Sequence, residues 1–197
     1  MNEFGAGELS SRYDAALDYV ANVHRTQRRK FGEVPYLAHL LRVSGLALDY
    51  GASEDVAIAA LLHDAVEDCG GVPRLEEIRN LFGDFVAGVV FETSDSLSSD
   101  SNDKAPWQER KKAYLERLAV GSEEAVLISG CDKLDNVASL SRAINIFGVE
   151  SVATKFHADR SCQFWYFESI ALILRQRSVP VVDELENAII RLKEVWK

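Results

Sequence analysis

The chain has 197 residues, 47% hydrophobic and 27% charged, a length and balance that fit one globular domain with a substantial core. Its formal net charge of −9 argues against a general nucleic-acid binder, which would carry a basic face, but leaves room for a small anionic partner met by local cations. No apolar run approaches the ~20 residues of a membrane span, and Met1-Asn2-Glu3-Phe4 does not open a signal peptide. Cys69, Cys131 and Cys162 are odd in number and lack CxxC spacing, which suits a reducing, cytoplasmic setting.

In chain order the pattern predicts helix almost throughout. Residues 9–29 carry apolar positions at Leu9, Tyr13, Leu17, Val20 and Val23, close to a helical period. Phe31-Gly32-Glu33-Val34-Pro35 is the first break. A helix from Tyr36 to Tyr50 stops at Gly51, and Ser53 with Asp55 opens the next in the manner of an N-cap. Gly70-Gly71-Val72-Pro73 reads as a turn, followed by short helices over 74–81 and 84–93. The Ser/Asp-rich stretch over about 94–105 lacks hydrophobic period and is expected to be a mobile loop, a lid or a disordered excursion. Helices are then predicted from Trp107 to Val120, Ser122 to about Ser141, over 149–177 as one or two segments, and from Val182 to Lys197. With no convincing strand run, the expected fold is an all-α orthogonal bundle, one domain over 1–197 with its core over about 9–177 and a site between facing helices.

Within this pattern one run stands out: Ala59-Ala60-Leu61-Leu62-His63-Asp64-Ala65-Val66-Glu67-Asp68. Placing four ionisable residues in six positions directly after an apolar run is expensive for a structural helix. Acids are also disfavoured at the helix C-terminus that Gly70-Gly71 would mark. His39, His63, Asp64 and Asp132 together make two imidazoles and two carboxylates, suited to a divalent ion such as Mn²⁺, Fe²⁺ or Zn²⁺. On a continuous helix Asp64 and Asp68 are four apart, as are His63 and Glu67, so one face would present two ligands and, a turn on, two acids able to orient or deprotonate water.

Five segments in order resemble the HD-domain metal-dependent phosphohydrolases, and within them the (p)ppGpp hydrolases: His24-Arg25-Thr26-Gln27-Arg28-Arg29-Lys30, Pro35-Tyr36-Leu37-Ala38-His39, Ala60 through Asp68, Phe82-Gly83, and Asp132-Lys133-Leu134-Asp135-Asn136. An HD doublet alone is a weak signal, whereas the ordered series is specific. The resemblance implies one ion, characteristically Mn²⁺, held by His39, His63, Asp64 and Asp132. It implies that Glu67 and Asp68 act on the nucleophile, that Arg29 and Lys30 face the nucleotide with the guanidinium stacked on the base, and that Asn136 contacts the nucleoside. Ser139 falls where the family often has a hydroxyl. The implied reaction is hydrolysis of the 3′-pyrophosphate of (p)ppGpp, releasing GDP or GTP and pyrophosphate. No synthetase or regulatory domain is legible, so an alarmone role would be hydrolysis only. Asp135 departs from the pattern, standing where Tyr or His is usual. As an acid there it would repel a phosphate or bind a second cation, which favours another nucleotide, such as an adenosine alarmone or a nucleoside monophosphate. A third reading is a protein that neutralises a toxic alarmone synthetase by binding it.

Other features take plainer readings. Arg25 with Arg28-Arg29-Lys30 leads towards His39 and would offset substrate charge, while Lys104 with Arg110-Lys111-Lys112 is expected to be a solvated face. Cys131 is expected in the core, His24 and His157 in structural roles, and Phe164-Trp165-Tyr166-Phe167 in the core or a homo-oligomer interface. Trp107 either seats the loop or anchors its helix. Lys133 has no role that its spacing reveals.

Overall fold

The computed structural model describes residues 8–97, 105–156 and 159–197. His157, Lys104 and most of the expected 94–105 loop lie outside the described residues. Among those described, eleven helices run in order: α1 Ser11–Val23, α2 Leu37–Asp49, α3 Glu54–Leu62, α4 Ala65–Cys69, α5 Gly71–Phe82, α6 Asp84–Thr93, α7 Trp107–Val120, α8 Glu123–Phe147, α9 Val149–Ala153, α10 Arg160–Gln176 and α11 Val182–Val195. The all-α expectation holds: the only β pairing among the described residues is one isolated bridge between Arg28 and Pro35.

Helix α3 explains the arrangement. From Val56 to Leu62 every residue is buried, so it has no polar face to give to water and must be enclosed on all sides. Helices α1, α2, α6 and α8 pack around it. Ser44 of α2 ties this centre together, accepting a hydrogen bond from the Tyr13 hydroxyl at 2.8 Å and donating to the carbonyl of Ala57 at 2.9 Å. Helix α8 is the longest, and its middle, Ile128 to Asp135, is wholly buried. It lies between α2 on one side and α10 and α11 on the other. Gly130 permits the closest of these approaches: a Cβ there would fall 2.5 Å from Val181 and 3.1 Å from Leu174.

Several boundaries differ from those expected. Helix α1 ends at Val23 rather than near 29 because the next residues turn back on themselves, with Arg29 N–H donating to Val34 at 2.8 Å and Tyr36 N–H to Gln27 at 3.0 Å. Gly32 and Glu33 make that turn with φ of 76° and 54°, a left-handed pair that glycine eases. Helix α5 starts at Gly71 and takes Pro73 into its first turn, where no N–H is required. Helix α8 runs on to Phe147 before Gly148 stops it. The 149–177 stretch is two helices, and Ser53 caps α3 as expected, its side chain accepting from Val56 N–H at 3.4 Å.

Candidate active site

The His63-Asp64 doublet does not lie inside a continuous helix. Helix α3 ends at Leu62 and α4 begins at Ala65, with the doublet as the joint between them. His63 contributes to the break, its Nδ1 donating at 2.8 Å to the carbonyl of Ala60, an oxygen otherwise available to the next turn's backbone. The same bond leaves Nε2 facing the interior. The shared-face reading of 63, 64, 67 and 68 is therefore corrected: a bend, not one regular helix, presents the doublet.

Around this joint the expected residues converge from three elements. His39 arrives on α2 and Asp132 on α8. His39 Nε2 lies 3.2 Å from Asp132 Oδ1 and 3.6 Å from Asp64 Oδ2, and His63 Nε2 lies 3.1 Å from Asp64 Oδ2 and 3.8 Å from Asp132 Oδ1. Ligand atoms of His39, His63 and Asp64 fall within 4.8 Å of one another. Both Nε2 atoms are buried and neither makes a hydrogen bond. An unpartnered buried ring nitrogen is costly, and two of them aimed into one carboxylate-lined space fit a divalent ion.

The electrostatics agree. Burial alone would strip the proton from His39, but Asp132, Asp135 and Asp64 outweigh it and raise its pKa to about 9. His63, buried against the same acids, is raised well above the ordinary imidazole value. Burial opposes ionisation of Asp64, yet His63 and His39 hold its carboxyl well below the usual range. For Asp132, Lys133 and the same two imidazoles overcome burial in the same way. Tyr36 donates to Asp64 Oδ2 at 2.6 Å, and Asn136 and Lys133 donate to the two oxygens of Asp132.

Glu67 and Asp68 sit one turn on, along α4. Burial and the neighbouring Asp95 push the Glu67 carboxyl up to about 7, while Arg110 stands 3.5 Å from it. Asp68 accepts from Gln27 at 2.8 Å, and Gln27 in turn meets His24 Nδ1 at 2.5 Å. His24 has the structural place expected of it, buried and stacked on Tyr36.

Two adjoining cavities open at this point. The smaller, about 180 Å³, is lined by Asp64, Glu67, Asp68, Asp95 and Asp132 among others. The larger, about 320 Å³, is lined by Arg29, Lys30, Ser139 and a set of aromatic rings, with Phe31, Trp107, Phe156 and Phe167 on its walls. Tyr36, Lys111, Lys133, Asn136 and Tyr166 line both. Arg29 is held by Asn136 at 3.0 Å, and Lys30 lies 4.5 Å above the Phe156 ring. Arg25 and Arg28, by contrast, are exposed and bond only to their own neighbourhood.

Three expectations change here. Arg110 and Lys111 are not a solvated face: both pair with Asp95, Arg110 at 2.5 Å, and Lys111 reaches the cavity beneath Tyr166, whose ring centroid is 4.9 Å away. Only Lys112 of that cluster is exposed among the described residues. Asp135 neither faces a phosphate nor offers a second cation site. Its side chain is 3% exposed and bonds His39 Nδ1 at 2.7 Å and the guanidinium of Arg42. Burial opposes its charge, but these partners bring it down to about 2. Tyr166 and Phe167 are core residues that also form the cavity wall, and Trp107 packs on Trp165 and Tyr166 at that wall. Cys131 is fully buried, as expected. Sequence reasoning missed Lys111, Lys133 and Asp95. For Lys133 a signal existed: it lies in an apolar run, where a charge needs a partner.

A family profile described as the HD domain matches residues 16–154. Guanosine-3′,5′-bis(diphosphate) 3′-pyrophosphohydrolase MESH1 of Drosophila melanogaster is 40% identical over 134 residues, 66% of this chain and 70% of that protein. The Homo sapiens protein of the same name is 37% identical over 139 residues, 69% of this chain and 73% of the relative. A solved structure of a metazoan ortholog of SpoT, described as hydrolyzing ppGpp with a role in starvation responses, superposes with a TM-score of 0.67 at 31% identity, covering 97% of each chain. A Listeria monocytogenes EGD-e structure gives 0.65 at 30% identity, covering 84% of this chain and 99% of that one. With the family profile spanning most of the chain and these relatives matching over most of their own length, the protein belongs to the HD-domain family.

Proposed function

We propose that this protein is a cytoplasmic, metal-dependent hydrolase that converts (p)ppGpp to GDP or GTP and pyrophosphate. The observation that carries the reading is the pairing of an acidic cavity at the His-Asp joint with a cationic, aromatic cavity wide enough for a nucleotide, sharing Lys111, Lys133 and Asn136. The relatives' activity agrees with it.

His39, His63, Asp64 and Asp132 hold one divalent ion, Mn²⁺ by the resemblance and by the mixed imidazole–carboxylate donors. The chemistry such an ion supplies when bound is Lewis acidity toward phosphoryl oxygen and water. Glu67, with its carboxyl near neutrality, takes the proton of a water as its oxygen bonds to the phosphorus carried on the 3′-oxygen. The bond between the 3′-oxygen and that phosphorus breaks, and the departing oxygen takes up a proton. Asp68, steadied by Gln27, orients the water. Lys111 and Lys133 offset the charge of the diphosphate. Arg29, Lys30, Asn136 and Ser139 meet the nucleoside in the larger cavity, whose aromatic walls suit a base.

Asp135 does not stand as a free acid against a phosphate, since its charge is met by His39, Arg42 and Arg29. The test is Mn²⁺-supplemented turnover of ppGpp with pppGpp and ppApp in parallel, products resolved by ion exchange, with Asp64→Ala as control. GDP and pyrophosphate from ppGpp, lost in the control, are expected. Metal-loaded protein that leaves ppGpp intact overturns the reading.

A further inference from the structure

We propose that Asp135 is a positioning residue for His39, a buried carboxylate that fixes the imidazole's tautomer and aims Nε2 at the ion site, with Arg42 as its anchor. Asp135 Oδ2 lies 2.7 Å from His39 Nδ1, and the two side chains are 3% and 1% exposed. On the far edge of the same ring, Nε2 makes no hydrogen bond and lies 3.2 Å from Asp132 Oδ1. Asp132 and Asp135 are three apart on α8, so one helical turn presents carboxylates to both nitrogens of one imidazole. An acceptor at Nδ1 keeps the proton there and leaves the Nε2 lone pair free for an ion.

Arg42 completes the device. It sits three residues beyond His39 on α2 and grips Asp135 through Nε to Oδ1 and through Nη2 to Oδ2, the latter at 3.2 Å. That fork sets the carboxylate plane and, with Arg29 at 3.5 Å from Oδ2, balances its charge, so Asp135 is not left buried and unpaired. The other imidazole is oriented differently: His63 Nδ1 meets a neutral carbonyl, that of Ala60, at 2.8 Å. A carboxylate partner raises the basicity of its ring more than a carbonyl does, which makes His39 the stronger donor of the two. This residue stands where the resembling family has Tyr or His, so the device belongs to this chain's own sequence.

The inference rests on the ion reading above, and the test separates the two. Mn²⁺ affinity would be measured by electron paramagnetic resonance for the wild type, Asp135→Asn, Asp135→Leu and Arg42→Gln, with melting of each metal-free protein as a folding control. The Leu variant is expected to bind Mn²⁺ ~10- to 100-fold more weakly, and the Asn variant, which keeps an acceptor, by a smaller factor. In Zn²⁺-loaded wild type the His39 Nδ1 proton should appear downfield and slow to exchange by NMR, and move upfield in Asp135→Asn. Folded Asn and Gln variants with affinities within about twofold of wild type and an unmoved proton would overturn this role alone. If Leu does not fold, the Asn and Gln variants and the proton signal decide. A wild type that binds no divalent ion overturns the ion reading and this role together.

Discussion

The two cavities that meet at Lys111, Lys133 and Asn136 share part of their walls but differ in what each adds to them. The acidic one is lined from the α3–α4 joint and α4, from α8 and α7, and from the end of α6 with Asp95 just beyond it, while His39 of α2 reaches the same joint from within. Each acid near the joint is held by a named neighbour: Asp64 by Tyr36, Asp132 by Lys133 and Asn136, Asp68 by Gln27. The cationic one shares α8 with it, through Lys133, Asn136, Ser139 and Leu140, but adds a turn after α1, the start of α7, Phe156 and one face of α10. Rigid helices hold reacting groups in place, while loops and helix ends leave room to adjust to a substrate's shape. The contrast assigns reactivity to one chamber and recognition to the other.

Experiments that separate the chambers break or sharpen this contrast. The largest effect is expected from Asp64→Ala, a loss of roughly 10³-fold or more in kcat with nucleotide affinity by calorimetry nearly unchanged. An equal loss of nucleotide affinity would merge the chambers. Glu67→Gln should lower kcat by about 10²- to 10⁴-fold. In the wild type, kcat/KM should fall as pH drops below about 7, because Glu67 becomes protonated and no longer accepts a proton. Asp95→Asn should carry that limb to lower pH, since the Asp95 charge helps to raise Glu67; a pH–rate profile reads both.

On the recognition side, Lys111→Ala should raise KM by roughly tenfold, the loss of one charge-assisted contact, with kcat changed less. Mn²⁺ affinity should climb with pH up to about 9, because His39 must give up its proton to become a ligand. Titrations at stepped pH would show this, and a flat profile would remove His39 from the donor set. The smallest change is expected for Ser139→Ala, about threefold in KM, one neutral hydrogen bond.

The difference between the chambers also decided what could be read beforehand. His63-Asp64 was conspicuous because ionisable residues rarely follow Leu61-Leu62 without a reason, and the helical periods around them were regular enough to place α2, the start of α3 and α6 closely. Lys111 resembled any charge on an amphipathic helix; only the fold turns it inward toward Asp95. Asp135 misled for the same reason. Its spacing from Asp132 was visible, but its partner Arg42 lies on another helix, and a cross-helix ion pair leaves no trace in local pattern. The bend at the doublet was equally hidden, since the side-chain bond that accompanies it, His63 to Ala60, looks like helix in sequence.

Gly130 gives the C-terminal helices a second part in the chemistry, apart from the cavity wall that α10 supplies. The family profile ends at residue 154, yet Val181 and Leu174, beyond it, press on α8 two residues before Asp132. A methyl group added at 130 would meet them at 2.5 and 3.1 Å, so either these side chains or the helix carrying Asp132 must give way. The reactive centre is thus braced from behind, and changes at Leu174 and Val181 reach turnover through the helix that carries a carboxylate rather than by meeting substrate.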